Sequence, residues 1–185
     1  MNRKHSDQVR VNEIDRREDE LAAHAGDTAA MQRLAHWYLT ATDPPEVEFA
    51  RHWLTRAAEA GNDGAMHNLG VLHHATLNPP DHEAARDWWL RAAERGNVAS
   101  MNALGILHSR YLDPPQLDLA RDWWLRAAEA GNAEAMNNIG WYYQKLATPP
   151  DHAEARRWFE QGAAAGSRRA RYNLMWWRLR SRLRR

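Results

Sequence analysis

Residues 61–96 read GNDGAMHNLGVLHHATLNPPDHEAARDWWLRAAERG. Asn62 follows Gly61 as a natural N-cap. Met66, Leu69, Gly70 and His73 then fall at i, i+3, i+4 and i+7, one stripe of a helix, and Leu72 widens it. Pro79-Pro80 must end that helix. The residue before a proline avoids the α region, as an N-cap does. Asn78 is therefore expected to cap a second helix, with Pro79 at its first position and Asp81 closing a capping box. That helix puts Ala85, Trp88, Trp89, Ala92 and Ala93 on its buried side and ends at Gly96, a natural left-handed C-cap. The stretch is a helical hairpin.

The hairpin recurs every 35 residues without drift. Gly26, Gly61, Gly96, Gly131 and Gly166 keep the step, as do the double prolines at 44, 79, 114 and 149. So do Trp53, Trp88, Trp123 and Trp158, and Leu34, Leu69, Leu104, Ile139 and Leu174. Four full repeats follow, 26–60, 61–95, 96–130 and 131–165, with half a repeat at 166–185. A degenerate half precedes them, where Ala22-Ala23 is in register with Ala57-Ala58. The expected fold is all-α, about four 35-residue helix-pair repeats with half-repeats at both ends. Residues 1–20 are expected to be a charged, partly helical N-terminal cap, 21–166 the repeat body, and 167–185 a basic amphipathic capping helix. Gly70, Gly105 and Gly140 lie inside first helices, where glycine costs roughly 1 kcal/mol relative to alanine. Their recurrence implies a steric need for no side chain, with facing tryptophans filling the space. Met175 breaks that register.

Composition narrows the class. The 185 residues include no cysteine, which excludes a disulfide framework and a cysteine-ligated zinc site. Met1 to Glu20 is charged and has no apolar run, unlike a secretory signal peptide, and no stretch approaches the ~20 apolar residues of a membrane span. A cytoplasmic protein is expected. Net charge is +1 but uneven. Residues 167–185 hold eight arginines and no acid, leaving 17 basic and 24 acidic residues elsewhere. Lysine occurs only at Lys4 and Lys145, against 23 arginines, a composition that suggests a GC-rich bacterial gene.

Ala65-Met-His-Asn-Leu69-Gly70, followed by Ala85-Arg-Asp-Trp88-Trp-Leu-Arg-Ala92-Ala93-Glu94-Arg-Gly96-Asn97, resembles the Sel-one-like repeat, a relative of the tetratricopeptide repeat. The resemblance extends from residue 26 to about 180 and recurs four times. It departs from the family in one place, a short loop ending in Pro-Pro where a glycine-rich loop is usual. The resemblance implies a right-handed α/α superhelix, first helices lining a concave face, and service as an adaptor or assembly scaffold. Some members carry a disulfide in each repeat, which this chain cannot.

If first helices line a concave face, its columns follow from the register. His36, Val71, Ile106, Trp141 and Trp176 form one; Gln32, His67, Asn102, Asn137 and Tyr172 the next; Leu39, His74, Ser109, Gln144 and Leu179 a third. Apolar and amide-bearing walls suit a peptide or helix. Asn102, Ile106, Asn137, Trp141, Tyr172 and Trp176 are the candidate contacts, the alternative being packing between helices. Asn68, Asn138 and Asn173 recur before the Leu-Gly register, where an amide can recognise a ligand backbone or tie adjacent helices, and the tie is expected of them. The C-terminal helix sets Tyr172, Trp176, Leu179 and Leu183 along one stripe, with a basic patch of Arg168, Arg169, Arg178, Arg180, Arg182, Arg184 and Arg185. Such a helix can be a solubilising cap, meet an acidic protein partner, join copies through the acidic body, or touch nucleic acid or an anionic membrane.

Ten histidines invite a metal or acid–base reading, yet they do not cluster as ligands do. His73 and His108 share a register with Tyr38 and Tyr143 and read as aromatics at the core edge, while His82 and His152 are expected to face solvent. No zinc-protease, nucleophile-elbow or phosphate-loop motif is present. The sequence therefore points to a non-enzymatic protein–protein interaction adaptor with no metal or cofactor. The alternative is a binder of nucleic acid or anionic membrane through the arginine-rich helix.

Overall fold

The computed structural model describes residues 16–183, with side chains to Trp177 and at Leu179. Among them all regular structure is helical: α1 (16–24), α2 (Thr28–Thr40), α3 (Val47–Glu59), α4 (Asp63–Val71, continued by a π-helical turn Leu72–Thr76), α5 (His82–Glu94), α6 (Val98–Arg110), α7 (Leu117–Glu129), α8 (Ala133–Lys145), α9 (His152–Ala164) and α10 (Arg168–Leu183). The fold is the all-α helix-pair repeat expected. It divides into two compact units, residues 1–92 and 93–185.

One register position starts every first helix. Asp27, Asn62, Asn97 and Asn132 accept backbone N–H bonds from Ala29 and Ala30, Ala65, Ser100 and Ala135, and the Ser167 hydroxyl accepts from Ala170, all at 2.8–3.1 Å. The glycine before each cap has φ between +87° and +105°, a region that only glycine enters cheaply.

Second helices begin about three residues later than expected. Each Xaa-Pro bond opening the double proline is cis. Neither proline has an N–H, so the first donor after the pair belongs to Glu46, Asp81, Gln116 or Asp151. It donates to the carbonyl of Tyr38, His73, His108 or Tyr143 at 2.8–2.9 Å. The prolines thus form the turn, and the helix starts only after that tie is made. Asn78 does not cap α5 and Pro79 is not its first residue. Asp81 is the cap, accepting from Ala84 N at 2.9 Å. Asp151 caps α9 in the same way, whereas Glu46 and Gln116 make no side-chain cap bond.

In unit one, Leu34, Leu54, Leu69, Leu72 and a set of alanines form the core. In unit two, Leu104, Leu107, Trp124, Ile139 and Phe159 are fully buried. The ring opposite each helical glycine is the second aromatic of the pair. A β-carbon on Gly70 would overlap the indole of Trp89, one on Gly105 the indole of Trp124, and one on Gly140 would lie 2.7 Å from the ring of Phe159. In the first repeat the equivalents are Ala35 and Leu54, both buried. A larger residue on one helix meets a smaller one on the other. In the other tryptophan column Trp53 is buried while Trp88, Trp123 and Trp158 lie half-buried, and the guanidinium groups of Arg91 and Arg126 sit 4.3 and 4.2 Å from the rings of Trp88 and Trp123.

Candidate functional site

All six candidate contacts lie in unit two, on α6, α8 and α10, and the structure sorts them into three kinds. The amides form a ladder. Asn138 Nδ2 donates to Asn102 Oδ1 at 3.0 Å, and Asn173 Nδ2 donates to Asn137 Oδ1 at 2.9 Å. Asn137 and Asn138 are buried, so the expected tie between adjacent helices is made here, by amides of two neighbouring registers. Asn68, the unit-one member of that series, is exposed and lines a cleft of about 150 Å³ with Gln32, His36, Leu39 and Val71.

Ile106 and Trp141 are half-buried. Trp141 packs against the cluster of Ala155, Phe159 and Ala170, and the Arg110 guanidinium stands 5.2 Å from its ring. Tyr172 and Trp176 are the exposed pair, at 57% and 45%, with their rings edge-on 6.0 Å apart.

The basic candidates meet the aromatic ones. An open cleft is lined by Asn137, Arg168, Arg169, Tyr172 and Asn173. Arg169 lies 3.8 Å from Glu134, whose Oε1 accepts the Ser167 hydroxyl at 2.8 Å. Arg168 and Arg171 form no ion pair among the described residues. Arg178, Arg180 and Arg182 continue the helix with their side chains outside the described set, and Arg184 and Arg185 lie beyond it. The structure puts Asn173, expected mainly as a tie between helices, in this cleft as well, and it exposes Met175 by 51% on the surface beside it, a residue the sequence gave no such part. The one signal for Met175 was its break in the glycine register. Aromatic faces and guanidinium groups beside a cleft recognise apolar and carboxylate-bearing segments.

The histidines lie apart from that site. His108 is buried with Nδ1 2.9 Å from Gln116 Oε1, and His73 is half-buried with Nδ1 4.0 Å from Asp81, core-edge positions as expected. His152 is exposed, edge-on to Trp177 at 5.8 Å. His82 is not exposed as expected but half-buried, its Nδ1 3.2 Å from His74 Nδ1, because the π-helical turn carries His74 against the start of α5. Burial lowers the pKa values of His67, His73 and His74 below their usual 6.5, and the neighbouring His82 lowers that of His74 further. Among the described residues, no three or more His, Asp or Glu side chains are placed to hold a metal ion. No helix among them is long and apolar enough to cross a membrane.

The Sel1 repeat model matches residues 28–62, 64–97, 98–132 and 133–167. Among solved structures, the chain is similar to c5321, a protective antigen of uropathogenic Escherichia coli displaying an SLR fold. Identity is 27%, with 86% of this chain and 35% of that one covered, at a TM-score of 0.76. It is also similar to a Sel1 repeat protein from Oxalobacter formigenes, at 24% identity over 84% of this chain and 65% of that one, TM-score 0.73. The immunity protein Pa5087 from Pseudomonas aeruginosa shares the fold at 21% identity, with 82% of this chain and 58% of that one covered, TM-score 0.56. The chain thus spans between about a third and two thirds of the length of these structures. No curated protein sequence matches it.

Proposed function

We propose that this chain, which belongs to the Sel1 repeat family, is a non-enzymatic adaptor that binds a protein or peptide segment on the first-helix face of unit two. The observation that carries this is the meeting of exposed Tyr172 and Trp176 with Arg168 and Arg169 beside the amide-walled cleft. Exposed apolar side chains rimmed by charge mark interaction surfaces. Half-buried Trp141 and Ile106 hold the Trp176 register on the preceding first helices, and the amide ladder ties those helices together. The reading needs no metal and no cofactor.

A photo-crosslinking residue at position 172 tests this in native host lysate. A discrete protein should be crosslinked there, and the Trp176→Ala variant, with an unchanged melting temperature, should lose it. Undiminished crosslinking by that variant refutes the reading. A second reading, binding of nucleic acid or anionic membrane, is favoured by the eight arginines and no acid of residues 167–185. It requires capture that disappears with nuclease, or between low salt and roughly 0.3 M salt.

A further inference from the structure

We propose that the exposed face of α10 receives an acidic amphipathic α-helix from a partner protein, standing where a repeat's second helix stands elsewhere in this chain. The proposal rests on the adaptor reading and gives its partner a chemistry.

The case starts from the register. On α8, Asn137, Gly140, Trp141 and Gln144 form the face that α9 and α10 cover. Asn137 is buried and bonded to Asn173 of α10, the ring of Phe159 of α9 rests on Gly140, and Trp141 and Gln144 are half-buried. The same positions on α10 are Tyr172, Met175, Trp176 and Leu179, exposed by 57, 51, 45 and 48%. They fall at i, i+3, i+4 and i+7, a single stripe. A repeat whose outer face meets water carries polar side chains there. Here asparagine gives way to tyrosine, glycine to methionine and glutamine to leucine. The stripe is not needed to hold α10 in place. Buried Ser167 and Ala170, with Leu174 and Trp177 packed against the Phe159 cluster, do that from the opposite side.

Two features specify the occupant. The first is size. In the completed repeats a 13-residue helix covers the first helix, and Leu54 lies opposite Ala35, while Trp89, Trp124 and Phe159 lie opposite glycines. Met175 already fills the space that Gly140 leaves for a ring. A helix over α10 must therefore carry alanine or glycine where α9 carries Phe159. The second is charge. Arg168, Arg169 and Arg171 are exposed beside the stripe, and residues 167–185 contain no acid. A covering helix with carboxylates along its flanks gains charge-assisted hydrogen bonds, and one with arginines is repelled.

The probe is a lactam-stapled peptide of residues 151–165 carrying Phe159→Ala, Arg156→Glu and Arg157→Glu, titrated against the full chain by fluorescence anisotropy. It should bind at least about tenfold more tightly than the same peptide with both arginines kept, and than the acidic peptide with Phe159 kept. The chain variants Trp176→Glu and Arg168→Glu, with melting temperatures unchanged, should each weaken it about tenfold or more. No binding of the acidic peptide below about 1 mM, equal binding of the three peptides, or full binding to Trp176→Glu overturns the proposal. So does self-association in sedimentation that Trp176→Glu abolishes, which would make the occupant a second copy. Binding to phosphatidylserine vesicles that the same variant abolishes would make it a membrane. If lysate protein still crosslinks at position 172 while the peptides fail, the adaptor reading stands without this partner.

Discussion

The indole of Trp89 occupies the space that a β-carbon on Gly70 would need, and its Nε1 donates to the carbonyl of His67 at 3.1 Å on the same first helix. Gly70 is therefore held by its partner's size. The pairs Gly105 with Trp124, Gly140 with Phe159 and Ala35 with Leu54 follow the same complementarity, a small residue facing a large one. In the second, third and fourth repeats the helices come close where one has no side chain and the other has a flat one.

Gly70→Ala should therefore destabilise unit one although alanine is the better helix former. Overpacking costs about 1–3 kcal/mol, against roughly 1 kcal/mol gained in helix propensity, and the indole cannot yield without losing its bond to His67. A net loss of up to about 2 kcal/mol is expected by urea denaturation. Adding Trp89→Leu recreates the Ala35–Leu54 combination, so the double variant should be more stable than the sum of its parts by at least about 1 kcal/mol. Strict additivity would mean that the two positions do not constrain one another.

The cap assignment gives a sharper contrast. Asp81→Ala removes the bond to Ala84 N at the start of α5 and should cost about 1 kcal/mol. Glu46 holds the same register position but makes no side-chain cap bond, so Glu46→Ala should change stability by less than about 0.5 kcal/mol. Equal losses in thermal melts would contradict the helix start at His82.

The repeat architecture was legible because three signals agree at one period: the left-handed glycine, the asparagine cap after it and the apolar stripe. What stayed hidden was decided by contacts that spacing does not encode. Trp88 and Trp89 are adjacent and both project toward the buried half of their helix, so periodicity cannot say which ring meets Gly70. Asp81 fits a third helical position as well as a cap, until the first N–H after two prolines is seen to bond His73. His82 seemed exposed because no sequence pattern announces the π-helical turn that brings His74 to it. Asn102 and Asn137 have the chemistry of both a ligand contact and an interhelical tie, and only the positions of Asn138 and Asn173 decide. At α10 the composition gave the charge, and the structure added the exposed stripe of Tyr172, Met175, Trp176 and Leu179.

Acid should loosen unit one. His67, His73 and His74 have folded pKa values lowered mainly by burial, with His82 adding to the effect at His74. A histidine lowered on folding binds fewer protons folded than unfolded, so the unfolded state gains as pH falls through and below 6.5. Stability is full above that value and declines beneath it. The melting temperature should be lower at pH 5.5 than at 7.5, and His74→Leu, which installs the residue of the Leu39 register, should shrink the difference. A melting temperature that is flat over this interval, or a slope that His74→Leu leaves untouched, would count against the arrangement.

The amide ladder and the surface aromatics should separate cleanly in stability measurements. Asn137 Oδ1 accepts from Asn173 Nδ2 at 2.9 Å, and Asn137 is 6% exposed, so losing either partner leaves a largely buried polar group without its bond. Asn137→Ala and Asn173→Ala should each cost about 1 kcal/mol or more, and the double variant less than their sum, because the second change removes the group that the first left unpaired. Tyr172→Ala, on the same face but 57% exposed, should stay within about 0.5 kcal/mol of the parent. Its effect belongs in partner binding, where it should weaken capture of the partner by α10 while the Asn variants act only as far as they unfold the site. A Tyr172→Ala variant as unstable as Asn173→Ala would move that ring from the binding surface into the core.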